Sequence, residues 1–465
     1  MSERFILIWS CRLVANSSQP PSTPQILPAH ADKSGAVCIV IGSRLRHADV
    51  DSMKLRSTLT TATMHGCRTS TTATRTTTTS RMKAELAQSA DKNDTMSSHA
   101  NFSFEALVQA YFDCRKHKRN TPSALAFEQN LERNLIALSE ELADGSYQPG
   151  KSICFVVTRP KAREVWAADF RDRIVHHLLY NHIAPRFYAS FIQDSCACIP
   201  GRGTLYAANR LEHKIRSATQ NWSKPCFYLK CDLANFFVSI DKSILQTQLA
   251  KRITEPFWMQ LTNTILWHDP RTNFELRGAQ ALQSKVPAHK QLSNQQQNKG
   301  LPIGNLSSQF FANVYLDALD QFAKHQIRAK HYIRYVDDFL ILHESTAWLN
   351  DAHAKIKAWL PANLNAKLND SKTILQPVSR GVDFVGQVIK PWHNTTRKRT
   401  ANVAIERCKR INKDDFYTTA NSYFGLLGQA NSSHKQRAQL AKIALLRGHS
   451  INKELTKIYR IKGQS

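Results

Sequence analysis

Two adjacent aspartates, Asp337 and Asp338, interrupt a run of apolar, β-forming residues at 333–342, which reads IRYVDDFLIL. The pattern predicts a β-hairpin with the acids between its strands. Acidic hairpin tips are commonly solvated, but Asp-Asp is a poor substitute for Asp-Gly in a tight turn. Two crowded carboxylates also repel each other unless a cation lies between them. A metal site is therefore the more economical interpretation.

A third aspartate, Asp232, ends a second predicted strand at 227–233. Open sheets commonly place ligand-binding groups at strand ends, just past buried apolar residues. If the two strand ends meet, Asp232 and Asp337 supply a pair of oxygen ligands suited to Mg²⁺. Two such ions can activate an attacking hydroxyl and stabilise the leaving oxygens of a phosphoryl transfer.

The charge balance of the chain favours a polyanionic partner. Its 465 residues include 63 Lys and Arg against 36 Asp and Glu, a formal net charge of +27. Nucleic acid is the leading partner class, although charge alone does not distinguish this from a basic ribosomal-type protein. No apolar run approaches the roughly 20 residues of a membrane-spanning helix, so we expect no membrane association. The 10 cysteines form no CxxC pair, which favours a reduced, cytoplasmic protein.

The chain changes character near residue 95. Residues 69–80 read TSTTATRTTTTS, and no hydrophobic period persists before residue 95. We therefore predict that residues 1–95 are a disordered, low-complexity extension; an upstream start, with Met82 or Met96 as the true initiator, is an alternative. Globular patterns begin after it. They predict helices at 125–142, 169–188, 241–252 and 307–326, strands at 154–158 and 227–233, and a polar loop at 277–299.

Several segments stand in collinear order with these acids. CDLANFF at 231–237, GLPIGNLSSQ at 300–309 and YVDDF at 335–339 follow the order of the palm motifs of reverse transcriptases. The likeness continues through PKAREVWAADFRDRIVHH, IPGRGTLYAA, LNDSKT and DFVGQVIKP. The chain therefore resembles prokaryotic reverse transcriptases. The resemblance implies an α+β, right-hand polymerase fold after the extension, with fingers and palm at 96–390, an antiparallel sheet carrying the YVDD hairpin, and a basic helical thumb at 391–465.

The resemblance also implies roles for single residues. Asp232, Asp337 and Asp338 would be catalytic acids holding two Mg²⁺ ions, with Mn²⁺ as an alternative and the carbonyl of Leu233 as a further ligand. Lys372 matches the lysine proposed to protonate departing pyrophosphate. The substrate-binding and primer-grip residues implied in the same way are Lys161, Arg163, Phe237 (a steric gate against a 2′-OH), Ile303, Gly304 and Gln309, and then Phe384 and Gly386.

The segment at 300–309 indicates which group of reverse transcriptases the chain resembles. Many reverse transcriptases carry Gln-Gly and Ser-Pro where this chain has Ile303-Gly304 and Ser308-Gln309. That form resembles the enzymes of diversity-generating retroelements and the unknown-group bacterial enzymes linked to phage defence. The implied function is an RNA-directed DNA polymerase acting on an RNA template, an RNA–DNA hybrid and dNTPs in a retroelement or antiviral defence system. A cognate noncoding RNA and an accessory protein are further candidate partners.

A maturase-like RNA-binding protein with a vestigial polymerase site is the alternative. The intact acids and Phe237 favour the polymerase.

Overall fold

The computed structural model describes residues 101–116, 121–158 and 161–461, together with two backbone strands, Ala36–Ile41 (β1) and Arg44–Asp49 (β2). These two strands pair as an antiparallel hairpin within a separate unit, Ser18–Asn93. The sequence pattern does not predict this hairpin. The prediction of a disordered extension at 1–95 otherwise lies outside the described residues.

The part described from residue 101 onward opens with helices Phe104–Arg115 (α1), Pro122–Glu128 (α2) and Leu131–Ala143 (α3). The sequence predicts one helix over 125–142, and this is wrong. The chain leaves the helical conformation at Asn130, with φ −129° and ψ 50°. Leu125 is therefore exposed, whereas Leu135 is fully buried. Gly145 follows α3 with φ +78°, the left-handed conformation that commonly ends a helix.

The remaining elements follow in chain order. They begin with β3 (Ser152–Val157), β4 (Arg163–Ala167), α4 (Phe170–Tyr188), α5 (Thr204–Ala218), β5 (Phe227–Asp232), α6 (Phe236–Ser239), α7 (Lys242–Ala250), α8 (Pro256–Trp267) and β6 (Phe274–Arg277). They continue with α9 (Leu306–Gln321), β7 (His331–Tyr335), β8 (Asp338–His343), α10 (Thr346–Leu364), β9 (Ile374–Pro377), β10 (Val382–Phe384), β11 (Gln387–Lys390), β12 (His393–Thr396), α11 (Lys398–Arg410), α12 (Lys413–Leu427), α13 (His434–Leu446), β13 (His449–Ile451) and β14 (Ile458–Arg460). The predicted helices at 169–188, 241–252 and 307–326 and the strands at 154–158 and 227–233 are confirmed.

The central sheet has four strands in the order β7-β8-β5-β9, all antiparallel to their neighbours. Helix α5 covers one face, where Leu211 and Ile215 pack with Tyr228 and Leu340. Helix α10 contacts β5 and β8. Since side chains alternate along a strand, Asp232 lies on the same face of β5 as Tyr228. The end of β5 therefore presents its acid on the face that α5 covers.

A second sheet, in the order β4-β3-β6, lies earlier in the chain; β3 is antiparallel to β4 and parallel to β6. The predicted polar loop at 277–299 follows β6 and contains only short 3₁₀ turns, Gln280–Lys285, Ala288–Lys290 and Leu292–Asn294. Glu164 of β4 fastens this loop, because its carboxylate accepts hydrogen bonds from the Leu292 amide at 2.8 Å and the Ser293 hydroxyl at 3.2 Å.

The C-terminal helices α11, α12 and α13 share a core with the hairpin β13–β14, built around Cys408, Phe416, Phe424 and Ile458. Helix α11 turns its alanines and Cys408 inward and leaves Lys398, Lys409 and similar cations exposed. The described part thus combines helices with antiparallel and mixed sheets, which is the α+β class that the resemblance implies.

The cysteines and the apolar helices can be compared with the sequence analysis across the described residues. The cysteines of the described residues, Cys114, Cys154, Cys196, Cys198, Cys226, Cys231 and Cys408, are all free thiols. None of the described helices is both long and apolar enough to cross a membrane.

Candidate active site

The three predicted acids meet at one end of the central sheet. The register of β5 and β8 sets Asp232 directly opposite Asp338, and that of β7 and β8 sets Tyr335 opposite Asp338. Asp337 lies in the connecting turn. Like charges directly opposite each other destabilise a sheet, so the stability of the sheet does not explain why two aspartates are paired here.

The hairpin turn differs from the sequence prediction. The expected tip was the pair Asp337-Asp338, but Asp338 is the first residue of β8 and the turn consists of Val336 and Asp337. Val336 takes the positive φ that the turn requires, +56°, which is unfavourable for a β-branched residue. Asp338 keeps extended geometry because it is paired on both sides, with Tyr335 and with Asp232.

Lysines and an asparagine surround the acids. The Lys372 ammonium contacts the Asp232 carboxylate, and the Asn369 side-chain amide donates to the same oxygen at 3.3 Å. Lys230 lies two residues before Asp232 on the same face of β5, with its Nζ 3.7 Å from Oδ2 of Asp338. Lys230 and Asn369 were not predicted as site residues. The signals were present, since Lys230 shares the strand face of Asp232 and Asn369 belongs to the LNDSKT segment.

Burial and mutual repulsion raise the pKa of two of the acids, Asp337 and Asp338. Burial, together with the charges of Asp232 and Asp338, raises the pKa of Asp337 to about 6, against a smaller opposing effect of Arg163. Burial also raises the pKa of Asp338, which Lys230 partly offsets. Negative charge at this point of the fold is therefore under-compensated by the protein itself.

The donor chemistry fits a divalent cation. Carboxylate oxygens and a backbone carbonyl are the ligands that Mg²⁺ prefers, and under-compensated negative charge favours a bound cation. Leu233, whose carbonyl is the further predicted ligand, is buried and bridges to Leu368 immediately after β5. The three acids are neighbours, but neither they nor any other His, Cys, Asp and Glu side chains of the described residues form a group arranged to hold a metal ion.

The segment at 300–309 packs against β4, which begins with the exposed Arg163. The Trp166 amide donates to the carbonyl of Ile303 at 2.7 Å, and Asn305 accepts from the Ala168 amide at 2.9 Å. Gly304 has φ +140°, and a Cβ there would lie 3.0 Å from the Trp166 carbonyl oxygen. Glycine is therefore required by this close approach of two backbones.

Phe237, the predicted steric gate, lies in the short helix α6 that follows the acid-bearing strand. Its side chain is half-buried, with its ring centroid 5.4 Å from that of Phe236. Its carbonyl accepts from the Leu301 amide at 2.8 Å, which ties α6 to the segment at 300–309. The chain enters α6 through Asn235, whose φ of +50° makes the sharp bend.

The predicted primer-grip turn, Val385-Gly386, joins β10 to β11 with φ +45° and +90°. Phe384 is fully buried, with its ring 6.5 Å from that of Tyr335 in the acidic hairpin. Lys230 also donates to the Asp383 carbonyl at 3.1 Å. The structure therefore brings this turn next to the acids.

Two further predicted residues, Lys161 and Gln309, make no direct polar contact with the acids among the described residues. Lys161 is exposed two residues before β4, and Gln309 is half-buried in the first turn of α9. No hydrogen bond or ion pair among the described residues joins either side chain to the three acids.

Solved structures that match part of this chain include telomerases. Apo telomerase from Candida tropicalis is 12% identical, with a TM-score of 0.42, over 64% of this chain and 56% of that one. Telomerase from Candida albicans in complex with a fragment of telomeric RNA is 12% identical, with a TM-score of 0.38, over 68% of this chain and 60% of that one. The chain thus matches less than two thirds of the length of either telomerase.

Comparison with curated protein sequences gives no match. Residues 159–389, in contrast, match the family described as reverse transcriptase (RNA-dependent DNA polymerase). This range contains all three acids, the segment at 300–309 and the turn at Gly386. Residues 159–389 of this chain are therefore a reverse transcriptase domain.

Proposed function

We propose that the chain is an active RNA-directed DNA polymerase that extends a primer with dNTPs on an RNA template. The observation that carries the proposal is the sheet register that sets Asp232 directly opposite Asp338 at the end of the central sheet, with Asp337 in the adjoining turn. Sheet stability alone would select against this accumulation of carboxylates. Phosphoryl transfer through divalent cations requires such a group of carboxylates to bind the metal ions.

Asp232, Asp337 and the Leu233 carbonyl would hold two Mg²⁺ ions, or Mn²⁺, with Asp338 in support. When bound, these cations neutralise charge on the attacking 3′ oxygen and on the leaving pyrophosphate. Lys372, whose ammonium contacts the Asp232 carboxylate, would give a proton to the departing pyrophosphate.

The surrounding residues would bind substrate and primer. Exposed Arg163 offers a planar, bidentate donor for the triphosphate, and the half-buried ring of Phe237 blocks a 2′-OH. The turn at Gly386 approaches the primer end, because a glycine there leaves open space around the backbone. The exposed cations of α11 follow the phosphates of an RNA–DNA hybrid without reading its sequence.

For the biological setting we propose a retroelement or an antiviral defence system. The Ile303-Gly304 and Ser308-Gln309 form of the segment at 300–309 supports this choice. A template and variable repeat beside the gene would support a diversity-generating retroelement, and a cluster of defence genes would support phage defence.

The test compares wild type with Asp337→Ala in primer extension on a defined RNA and in binding of a labelled RNA–DNA hybrid. We expect Asp337→Ala to abolish extension while hybrid affinity stays within severalfold, because binding depends on phosphate contacts. Asp351→Ala is the matched control, since Asp351 is an exposed acid of α10 paired with Lys355. An active Asp337→Ala enzyme would refute the assignment. Wild type that binds RNA without extending a primer would favour the maturase-like alternative.

A further inference from the structure

An arginine lies buried beneath the acidic hairpin, three residues before Asp337. The side chain of Arg334 is 1% exposed and that of its partner Asp320, on α9, is fully buried. The two form a bidentate pair, with Nε to Oδ1 and Nη2 to Oδ2 both at 2.7 Å. A charged pair with no access to solvent is expensive to desolvate, and burial alone does not make such a pair stabilising.

The other donors of Arg334 connect three separate parts of the chain. Nη2 donates to the Ser195 hydroxyl at 2.9 Å, and Nη1 donates to the Asn313 side-chain carbonyl at 3.3 Å. The remaining bond, from Nη1, goes to the backbone carbonyl of Val336 at 3.0 Å. All five N–H groups of the guanidinium are therefore used, in a planar arrangement that lysine cannot reproduce.

The hydrogen bond from Arg334 to the Val336 carbonyl constrains the backbone of the acidic turn. Val336 occupies the left-handed region, which a β-branched residue adopts only when its surroundings impose it. Arg334 supplies that constraint, because it fixes the carbonyl of Val336 to a guanidinium that is itself immobilised by Asp320. The peptide unit so fixed is the one that leads into Asp337.

We infer that Arg334, held by Asp320, is a positioning residue: it fixes the Val336–Asp337 turn and thereby places the Asp337 carboxylate. This inference rests on the proposed function, in which Asp337 acts in catalysis. The charged pair is buried and provides no binding surface of its own. Its role is to make one conformation of the acidic turn the only one available.

The test removes both charges together, because removal of one alone leaves the other buried and unpaired. In Arg334→Met/Asp320→Asn, methionine fills the space of the arginine stem, and asparagine still accepts the 2.7 Å hydrogen bond that Tyr332 donates to Asp320. The carbonyl of Val336 loses its charged donor. Arg334→Lys is a second variant, which retains the charge opposite Asp320 but not the planar set of five donors.

The chain offers a matched control. Arg115 and Glu128 also form a two-point pair, and Tyr111 donates to Glu128 at 3.2 Å, as Tyr332 does to Asp320. This triad joins α1 to α2 and is not part of the candidate active site. The control pair is partly exposed, 30% and 15%, so Arg115→Met/Glu128→Gln measures what loss of an arginine–carboxylate pair of the same bonding pattern does away from the site.

Four quantities are measured for each protein: the urea midpoint, the affinity for a labelled RNA–DNA hybrid, kcat and KM for primer extension, and amide hydrogen exchange at 331–343. For Arg334→Met/Asp320→Asn and for Arg334→Lys we expect kcat to fall at least tenfold while KM and hybrid affinity stay within threefold. Exchange at the hairpin should accelerate in both. The control pair should leave kcat and hairpin exchange at wild-type values.

Retention of more than half the wild-type kcat and of slow hairpin exchange in the double variant would overturn the inference. A parallel loss of kcat and hybrid binding would overturn it as well, because it would indicate a general structural role. Wild type without extension activity would refute the proposed function instead, and hairpin exchange would then still decide whether Arg334 fixes the turn.

Discussion

Replacement of Gly304 by alanine should damage both stability and nucleotide binding. The residue has φ +140°, and a Cβ would meet the Trp166 carbonyl oxygen and Cγ1 of Val165, both at 3.0 Å. The oxygen belongs to a backbone that is already hydrogen-bonded to the same segment, since the Trp166 amide donates to Ile303. It cannot rotate away as a flexible side chain could.

The magnitude has two parts. A side chain held in this region of φ costs roughly 1–3 kcal/mol. Overpacking against neighbours that cannot move costs typically about 1–3 kcal/mol more. Gly278 separates the two parts, because it has φ +96° and no heavy atom within 4 Å of a built Cβ. We therefore expect Gly304→Ala to lower the free energy of unfolding by about 2 kcal/mol more than Gly278→Ala does.

The strain introduced by Gly304→Ala should also weaken binding of the incoming nucleotide. Part of the strain can be relieved by movement of the segment at 300–309 away from β4, which separates Ile303 from the strand that carries Arg163. A loss of about 1.4 kcal/mol in binding corresponds to a tenfold higher KM for dNTP. Urea unfolding followed by tryptophan fluorescence and steady-state primer extension measure the two effects. If Gly304→Ala matched Gly278→Ala in both measurements, the close backbone approach would not matter and the reasoning would fail.

Three further predictions concern single side chains. Phe237→Ala should lower the urea midpoint modestly, because the partly buried ring packs against Phe236, and should raise incorporation of rNTP relative to dNTP; unchanged sugar selectivity would remove its gate role. Ile303→Gln should lower misincorporation several-fold, since one regained polar contact is worth about 1 kcal/mol. Product sequencing at matched dNTP concentrations tests it, and identical error spectra would contradict it. Lys372→Gln should slow a single turnover without weakening hybrid binding. The control Lys357→Gln, which breaks the exposed pair with Asp370, should leave the turnover rate unchanged. Equal rates for Lys372→Gln and wild type in a rapid-quench assay would assign Lys372 to the surface.

The strands and helices around the site were predictable because their apolar patterns are strong. The runs on either side of Asp337 gave both hairpin strands, and the run before Asp232 gave β5. The turn itself was not predictable in detail. Its residues depend on the pairing of Asp338 with both Asp232 and Tyr335, which is a property of three strands rather than of a local sequence.

The polar partners of the site were harder to predict for the same reason. Arg334 is an isolated charge in an apolar strand, and its five acceptors come from positions 195 to 336. Nothing in the local sequence indicates them. The break between α2 and α3 was also missed, since Leu125 fits the helical period by chance and is exposed.

The register of the central sheet limits how this domain can evolve. Asp232 and Asp338 face each other only because β5 and β8 pair without a slip, and a shift of one residue sends a side chain to the opposite face. An insertion or deletion within β8 would therefore turn Asp338 to the opposite face of the sheet, away from Asp232, even if every apolar residue around it survived. Substitutions in these strands can be tolerated one at a time, but a change in their length cannot. Among descendants of this sequence, the spacing of the hairpin should outlast the identity of its apolar residues.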